Sequence, residues 1–480
     1  MNIQTRIATS DSTTTNAAPM QEALAEFVTE LRHDAIPSTV RKRALHHMLD
    51  AAGIAMASTR YDFAHKTLAG IQAIAGEGKV PVFGMPATLP LRDAAIMNGF
   101  LCHGLDYDDT HVAAIVHPTA SVFPAVLSAA AHVGASGRDM VTAYIAGVEA
   151  AARIGMVAKS QFHQVGFHPT GMVGVFGCAL AAGRLMGLNA KQLMNAQGIA
   201  LSMASGSMEF LEDGAWNKRF HPGWAAAAGI TAAAICKEGF VGASNPYDGR
   251  FGLYNAYLGC GPRVDETDIS LGTAGLGDVW ELLATAIKPF PTCHFTHGAI
   301  DAALALRDDI GDHTNIKAIK VLLPEGVFKT ICEPEANKKR PQNDYDAKFS
   351  THFLVSAALV RGRVSLAELE PDVLRDPDIL ALADKLSYEN DPASPFPAAY
   401  SGEVIIATND GRELRHREHF NRGAADRPLS NEEIVAKYRD NAAMVVDGAT
   451  SDRQMAAMLG LDSDDVLAVD ALRCFSQARC

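Results

Sequence analysis

The sequence predicts a mainly α protein, a large all-helical domain with a smaller α+β domain inserted near its C-terminal end. Three observations predict it. Of the 480 residues 48% are hydrophobic, yet only 7% are aromatic while glycine alone numbers 40; small side chains at that density let helices approach closely. Apolar residues recur at helical spacing as far as about residue 287, separated by short Gly- and His-containing loops. Beyond that point the pattern turns to alternation and a hairpin signal.

Taken in order, residues 1–20 are polar and read as disordered, with no apolar stretch of the kind a signal peptide carries. Two helices are expected within 21–58, the second starting after Ile36-Pro37 with Ser38 as N-cap. Further helices are expected over 92–104, 119–134, 138–158, 170–187, 191–205 and 224–239. The start near 138 rests on Ser136-Gly-Arg-Asp139, a capping-box pattern. Ile316 to Pro324 alternates like a strand, and Gly402 to Phe420 reads as two strands joined at Asn409-Asp410-Gly411. Residues 346–362 and 366–384, between these strands, look helical. Ser430-Asn-Glu-Glu433 then caps another helix, and the tail is helical again. The expected division is a helical domain over 21–287, an α+β unit over 288–425, and a helical return over 426–480.

Composition excludes several classes. The formal net charge is -13 and no basic stripe is visible, which argues against a nucleic-acid partner. No apolar run reaches the length of a membrane span; the Ala-rich stretch from Trp224 reads as a buried helix. The eight cysteines are scattered without a C-x-x-C pair, a pattern of reduced thiols in a cytosol rather than of disulfides, zinc or an iron–sulfur cluster.

Four constellations carry chemistry. His103-Gly-Leu-Asp106-Tyr-Asp108-Asp109-Thr110-His111, followed by His117-Pro118, packs carboxylates and imidazoles into a loop between helices. It suits general acid–base work, since an Asp fixes the tautomer of a His; a divalent-metal site or a plain acidic capping turn are the alternatives. His168, in Gly166-Phe-His-Pro-Thr-Gly171, opens a helix whose dipole disfavours an imidazolium, so it reads as a neutral base or as a structural cap. Lys218, Arg219 and His221, between Trp216 and Pro222-Gly223, form a candidate anion clamp or else a solvated basic turn. Lys288-Pro-Phe-Pro-Thr-Cys293-His294-Phe-Thr-His297 lies at the boundary of the two units, where a cleft would form. Lys338-Lys-Arg340 reads as a solvated turn, and Met203 and Met208 as core.

Together these segments resemble the MmgE/PrpD family, which includes 2-methylcitrate dehydratase, cis-aconitate decarboxylase and iminodisuccinate epimerase. The resemblance runs from about residue 22 to about 445 and includes NGFLCHGLDYDDT from Asn98, HPTASVFPAVLSAA from His117, GFHPTGMVGVFG from Gly166, NKRFHPG from Asn217, FPTCHFTH from Phe290, DAKFSTHF from Asp346 and PLSNEEIVAKYRDNA from Pro428. It implies a helical domain with an α+β lid, a cytoplasmic homodimer, and a lyase that needs neither metal nor organic cofactor. The implied substrate is a small di- or tricarboxylate, dehydrated or decarboxylated by way of charge on the carbon beside a carboxylate; epimerisation of an iminodisuccinate-like compound would use the same residues, and a non-catalytic ligand-binding protein is the remaining alternative. The implied site has His117, His168 and Asp106 as catalytic groups. Thr110, Lys218 and the lid's His297 would bind substrate, with Arg219, His221 and His103 beside them. The spacing from Thr110 to His117 is one residue longer than in the decarboxylase, and the stretch from Met208 to Trp216 matches no characterised member closely, which points to a substrate of its own.

Overall fold

In a computed structural model the described residues are 18–259 and 261–476; most of the stretch expected to be disordered, and Cys260 and Cys480, lie outside them. The helical unit is built around six long elements: Ser38–Ser58, Leu91–Cys102, Pro118–Val133, Gly137–Val157, Pro169–Leu185 and Asn217–Lys237. Their shared property is Ala and Gly on the contact faces. Helices Leu91–Cys102 and Asn217–Lys237 cross at Gly99 and Gly223, where a Cβ on Gly223 would lie 2.2 Å from the Ile96 carbonyl oxygen. Only glycine permits that approach, and it sets Lys218, just over a turn earlier in its helix, beside the loop that follows Cys102.

Helix ends follow the capping chemistry in part. The Ser136 hydroxyl accepts from the Asp139 amide at 3.1 Å and donates to the Asp139 carboxylate at 2.8 Å. Ser430 and Glu433 close a full capping box on Asn431–Ala443. Ser38 does not act as a cap: it is the first helical residue, preceded by Pro37, and no side chain caps that end. The helix expected from residue 224 starts at Asn217, so the Lys218–Arg219 segment is helix and not turn. Pro222 is tolerated there because its missing N–H removes only one early hydrogen bond of the ladder.

The smaller unit centres on a four-stranded sheet in the order Leu386–Asn390, Ile316–Leu323, Gly402–Thr408, Glu413–Glu418. The first pair is parallel and the others antiparallel. Gly411, with φ 89°, makes the hairpin turn. Helices His297–Ile310 and Thr351–Arg361 accompany the sheet, and its core is formed by Ile319, Val321, Phe353, Leu354, Val404 and Ile406. Asn431–Ala443 returns to the helical unit, where Tyr438 packs against Gly53 and Tyr438, Ala442 and Val446 join the large core. Among the described residues one helix, Gly137–Val157, is long and apolar enough to cross a membrane, and 94% of its apolar window is buried inside the protein. Lys338, expected in solvent, is buried; Lys339 pairs with Glu335 at 2.6 Å and Arg340 with Asp384 at 2.6 Å.

Candidate active site

The site grows from the loop between helices Leu91–Cys102 and Pro118–Val133. Its backbone at Asp106 is left-handed, with φ 52°, an uncommon conformation for a residue with a side chain. Four cations from four different segments hold it there. Arg219 Nε donates to the Gly104 carbonyl at 2.7 Å, Lys348 Nζ to Leu105 at 2.7 Å, Lys288 Nζ to Asp106 at 2.9 Å and Lys437 Nζ to Tyr107 at 2.8 Å. Each of four successive carbonyls thus receives a charge-assisted hydrogen bond.

Asp106 itself is buried and takes two ammonium groups on its carboxylate. Lys218 Nζ lies 2.9 and 3.0 Å from its two oxygens, and Lys288 Nζ lies 2.8 Å from the first. Burial alone would raise the carboxyl's pKa, but Lys218 and Lys288 outweigh it and hold it well below the ordinary carboxylate range. Asp109, by contrast, is structural. It accepts from His47 Nδ1 at 2.7 Å and from the Thr119 amide at 3.2 Å, tying the loop to the start of the next helix.

Three histidines converge beside this ion cluster. His117 and His168 each directly precede a helix that begins with proline, Pro118–Val133 and Pro169–Leu185. The two helix starts are joined by the His117 amide, which donates to Thr170 Oγ1 at 3.0 Å. Ring centroids are 4.8 Å apart for His103 and His117, 5.5 Å for His103 and His168, and 5.6 Å for His117 and His168. His117 Nδ1 is 2.7 Å from the Asp109 carbonyl, which can only accept, so Nδ1 carries the proton and Nε2 keeps its lone pair. Thr110 Oγ1 lies 3.1 Å from the same Nδ1. His103 Nδ1 faces both oxygens of Asp108 at 2.8 Å, and its buried Nε2 has no partner. His168 Nδ1 shares a proton with His221 Nδ1 at 3.1 Å, and its Nε2 is likewise buried and unpartnered. Burial first, and nearby cations second, push all three well below the ordinary histidine range, so they are neutral at pH 7.

The cavity these groups face is closed on the far side by the smaller unit. Its wall includes Thr110, His117, His163, His168 and Lys218 from the helical unit, and Lys288, Cys293, His294, Phe349 and Tyr400 from the rest. Thr110 and His111 pair as a two-residue ladder with Thr285 and Ala286, which places Lys288 beside Asp106. The free space there is about 30 Å³, room for one or two waters.

Several sequence expectations change in this light. Arg219 does not face the cavity: its guanidinium lies between the rings of Phe63 and Tyr345, at 4.2 and 4.1 Å from their centroids. His221 orients His168 and does not line the wall. His297 is turned toward the Thr292 carbonyl at 3.3 Å, and it is His294, held by Asn421, that reaches the cavity. His103 sits beneath His117 and outside the lining. Met208 packs against the core of the smaller unit, as expected, and also lines the cavity, with Phe210 beside it. Sequence reasoning placed Lys288 at the head of the boundary constellation without giving it a site role, and passed over Lys348, whose only local signal was its position in the DAKFSTHF segment. As for metals, one ring nitrogen from each of His103, His117 and His168 lies within 4.8 Å of the others, and a second grouping joins His103 and His117 to Asp106 and Asp108. In the second grouping the Asp106 carboxylate is already committed to two ammonium groups.

Comparison with known proteins places this geometry. The MmgE/PrpD N-terminal domain model matches residues 22–264 and the MmgE/PrpD C-terminal domain model matches 290–463. The chain is 28% identical over 474 residues to the cis-aconitate decarboxylase-like protein oryM of Aspergillus oryzae, covering 94% of this chain and 97% of that one. It is 27% identical over 439 residues to the cis-aconitate decarboxylase of Homo sapiens, with 88% of each covered. It is 24% identical over 407 residues to the 2-methylcitrate dehydratase of Escherichia coli, covering 78% of this chain and 80% of the other. Relatives that are decarboxylases and dehydratases support a lyase function at the level of the family. On the match of both domain models along most of its length, the chain belongs to the MmgE/PrpD family.

Proposed function

We propose that this chain is a lyase that works without a cofactor on a small polycarboxylate, and that decarboxylation of a cis-aconitate-like acid is its reaction. The observation that carries the reading is the pairing of neutral histidines with a buried lysine pair. Imidazole nitrogens with free lone pairs face the same cavity as Lys218 and Lys288. The choice of decarboxylation over dehydration rests on the relatives: the decarboxylases match nearly the whole chain and the dehydratases about four-fifths of it.

In this reading the substrate's carboxylates meet the ammonium groups of Lys218 and Lys288 and the hydroxyl of Thr110. The negative charge that enters with them raises the proton affinity of the neighbouring histidines, so His117 or His168 takes up a proton as substrate binds. The bond from the CH2 carbon to its departing carboxylate breaks, and the electron pair passes through the adjacent double bond to the far carbon, which bears a remaining carboxylate. That carbon then receives the proton from the imidazolium, carbon dioxide leaves, and the imidazole regains its proton from solvent. Charge next to a carboxylate is the costly feature of this path, and preorganised cations in a cavity closed to water act on it strongly. Asp106 is a positioning residue that holds both lysines, and Asp108 fixes the tautomer of His103. The wall contributed by Met208 and Phe210 belongs to the stretch that departs from characterised members, and the substrate's own side group would lie against it.

The free space of about 30 Å³ is small for a tricarboxylate, and in this reading the smaller unit moves away to admit one. Proton NMR of the chelator-treated chain in heavy water tests the reading, with cis-aconitate, 2-methylcitrate, citrate and iminodisuccinate as the panel. Loss of carbon dioxide with one deuterium entering the product is the expected result. Loss of water would reassign the chain to dehydration, deuterium exchange without net loss to epimerisation, and no change in any compound would overturn the reading.

A further inference from the structure

The three histidines are more than a set of bases. Each has its Nδ1 engaged by a different partner: Asp108 for His103, the Asp109 carbonyl for His117 and His221 for His168. Ring nitrogens of metal-binding histidines are held in this way, with a carboxylate, a carbonyl or a neighbouring polar group orienting the imidazole from behind. The nitrogens left over on His103 and His168 are buried without a partner, which is costly for a polar atom. The ring centroids, at 4.8, 5.5 and 5.6 Å, match the roughly 5 Å expected when three imidazoles share one tetrahedral ion at about 2 Å from each nitrogen.

We infer that His103, His117 and His168 form a binding site for a divalent transition-metal ion of the Zn²⁺ class, and that the ion inhibits the enzyme. The binding half needs only the geometry; the inhibition rests on the proposed lyase reading. Neutral imidazole suits zinc and its neighbours, whereas Mg²⁺ and Ca²⁺ prefer oxygen ligands. The carboxylates of Asp106 and Asp108 offset the Lys218 and Lys288 charges that would otherwise repel a dication. One nitrogen of each ring lies within 4.8 Å of the others, against about 3.4 Å around a tetrahedral ion, so with the centroids already at the right spacing the rings must turn their nitrogens toward one point. The ion would then hold the lone pairs that move the substrate's proton, and the fourth position would face the cavity where the carboxylates bind. Inhibition is therefore expected to be competitive with substrate and reversed by chelator.

Cobalt titration of the full chain, freed of metal by chelator and followed by visible absorption, tests the site without calling on turnover. One Co²⁺ per chain with the intense visible bands of a tetrahedral nitrogen site is expected, and Zn²⁺ should displace it. His103→Gln and His168→Gln should each lower the affinity at least tenfold; two variants are used in case one does not fold, and a melting curve checks each. No cobalt band, a thiolate charge-transfer band in the near ultraviolet, or an unchanged titration in the folded variants would overturn the site. Turnover with Zn²⁺ added then reads the second half. A metal that binds with the expected spectrum and leaves the rate of an active enzyme unchanged would overturn inhibition alone, while failure of the lyase reading would appear as no turnover before any metal is added.

Discussion

Lys348 Nζ, carried by the smaller unit, donates to the Leu105 carbonyl of the helical unit at 2.7 Å, one residue before Asp106, and also lies 3.3 Å from the Pro291 carbonyl. The position of the loop from Gly104 to Tyr107 thus depends on the smaller unit being in place. Burial pushes this lysine down to about 8. Lys348→Met leaves the Leu105 carbonyl buried without a donor, at a cost of about 1–3 kcal/mol. The expected outcome is a fall in kcat of about tenfold or more with a smaller change in KM, and partial recovery in Lys348→Arg. Equal behaviour of the Met and Arg variants in steady-state kinetics would contradict the relationship.

Arg219 tests the reassignment of a residue that looked like a substrate clamp. Its contacts include the Phe63 and Tyr345 rings, the Gly104 carbonyl and the Asp344 carboxylate at 3.5 Å. Lysine is a poor substitute for a stacked, planar guanidinium. Arg219→Lys should lower the melting temperature by several degrees, corresponding to about 1–2 kcal/mol, while KM for the substrate stays within about twofold. A large rise in KM with unchanged stability would return Arg219 to the substrate.

Gly223 tests the crossing that places Lys218. Alanine there would put a Cβ 2.2 Å from the Ile96 carbonyl oxygen, and backbone cannot give way cheaply. A loss of about 1–3 kcal/mol is expected on urea denaturation of Gly223→Ala, together with weakened substrate binding as Lys218 is displaced.

Asp50 supplies the pH dependence. Burial raises its carboxyl to about 6, against the pull of Lys437, whose ammonium lies 2.9 and 3.0 Å away. A pKa raised on folding means that the native state holds a proton the unfolded chain has released. Stability from this group is therefore complete below about 3.8 and lost as pH rises through about 6. Melting curves of the wild type and Asp50→Asn between pH 4 and 7 should differ in slope, the wild type losing up to about 3 kcal/mol across the window relative to the variant. Parallel curves would contradict the assignment.

Much of this architecture was legible in the sequence, for local reasons. His117-Pro118 and His168-Pro169 mark helix starts because proline is favoured in the first turn, and Asn409-Asp410-Gly411 marks the hairpin because the turn requires a positive φ. What was not legible is long-range. Nothing near Arg219 announces that Phe63 and Tyr345 will enclose it, and nothing near Gly104 to Tyr107 announces that four cations from distant segments will converge there. The strand Leu386–Asn390 escaped because it is a polar edge strand, mostly open to solvent, with little of the alternation that burial imposes. His297 was preferred to His294 because spacing cannot say which of two neighbouring imidazoles turns inward.

The central claim is that neutral histidines beside a lysine pair move the substrate's proton. Its most direct test is kcat at saturating cis-aconitate for His117→Gln and His168→Gln beside the wild type, each shown to be folded by its melting curve. A positioned acid or base contributes about 100- to 10,000-fold, so at least one variant should lose 100-fold or more; full turnover in both would contradict the account.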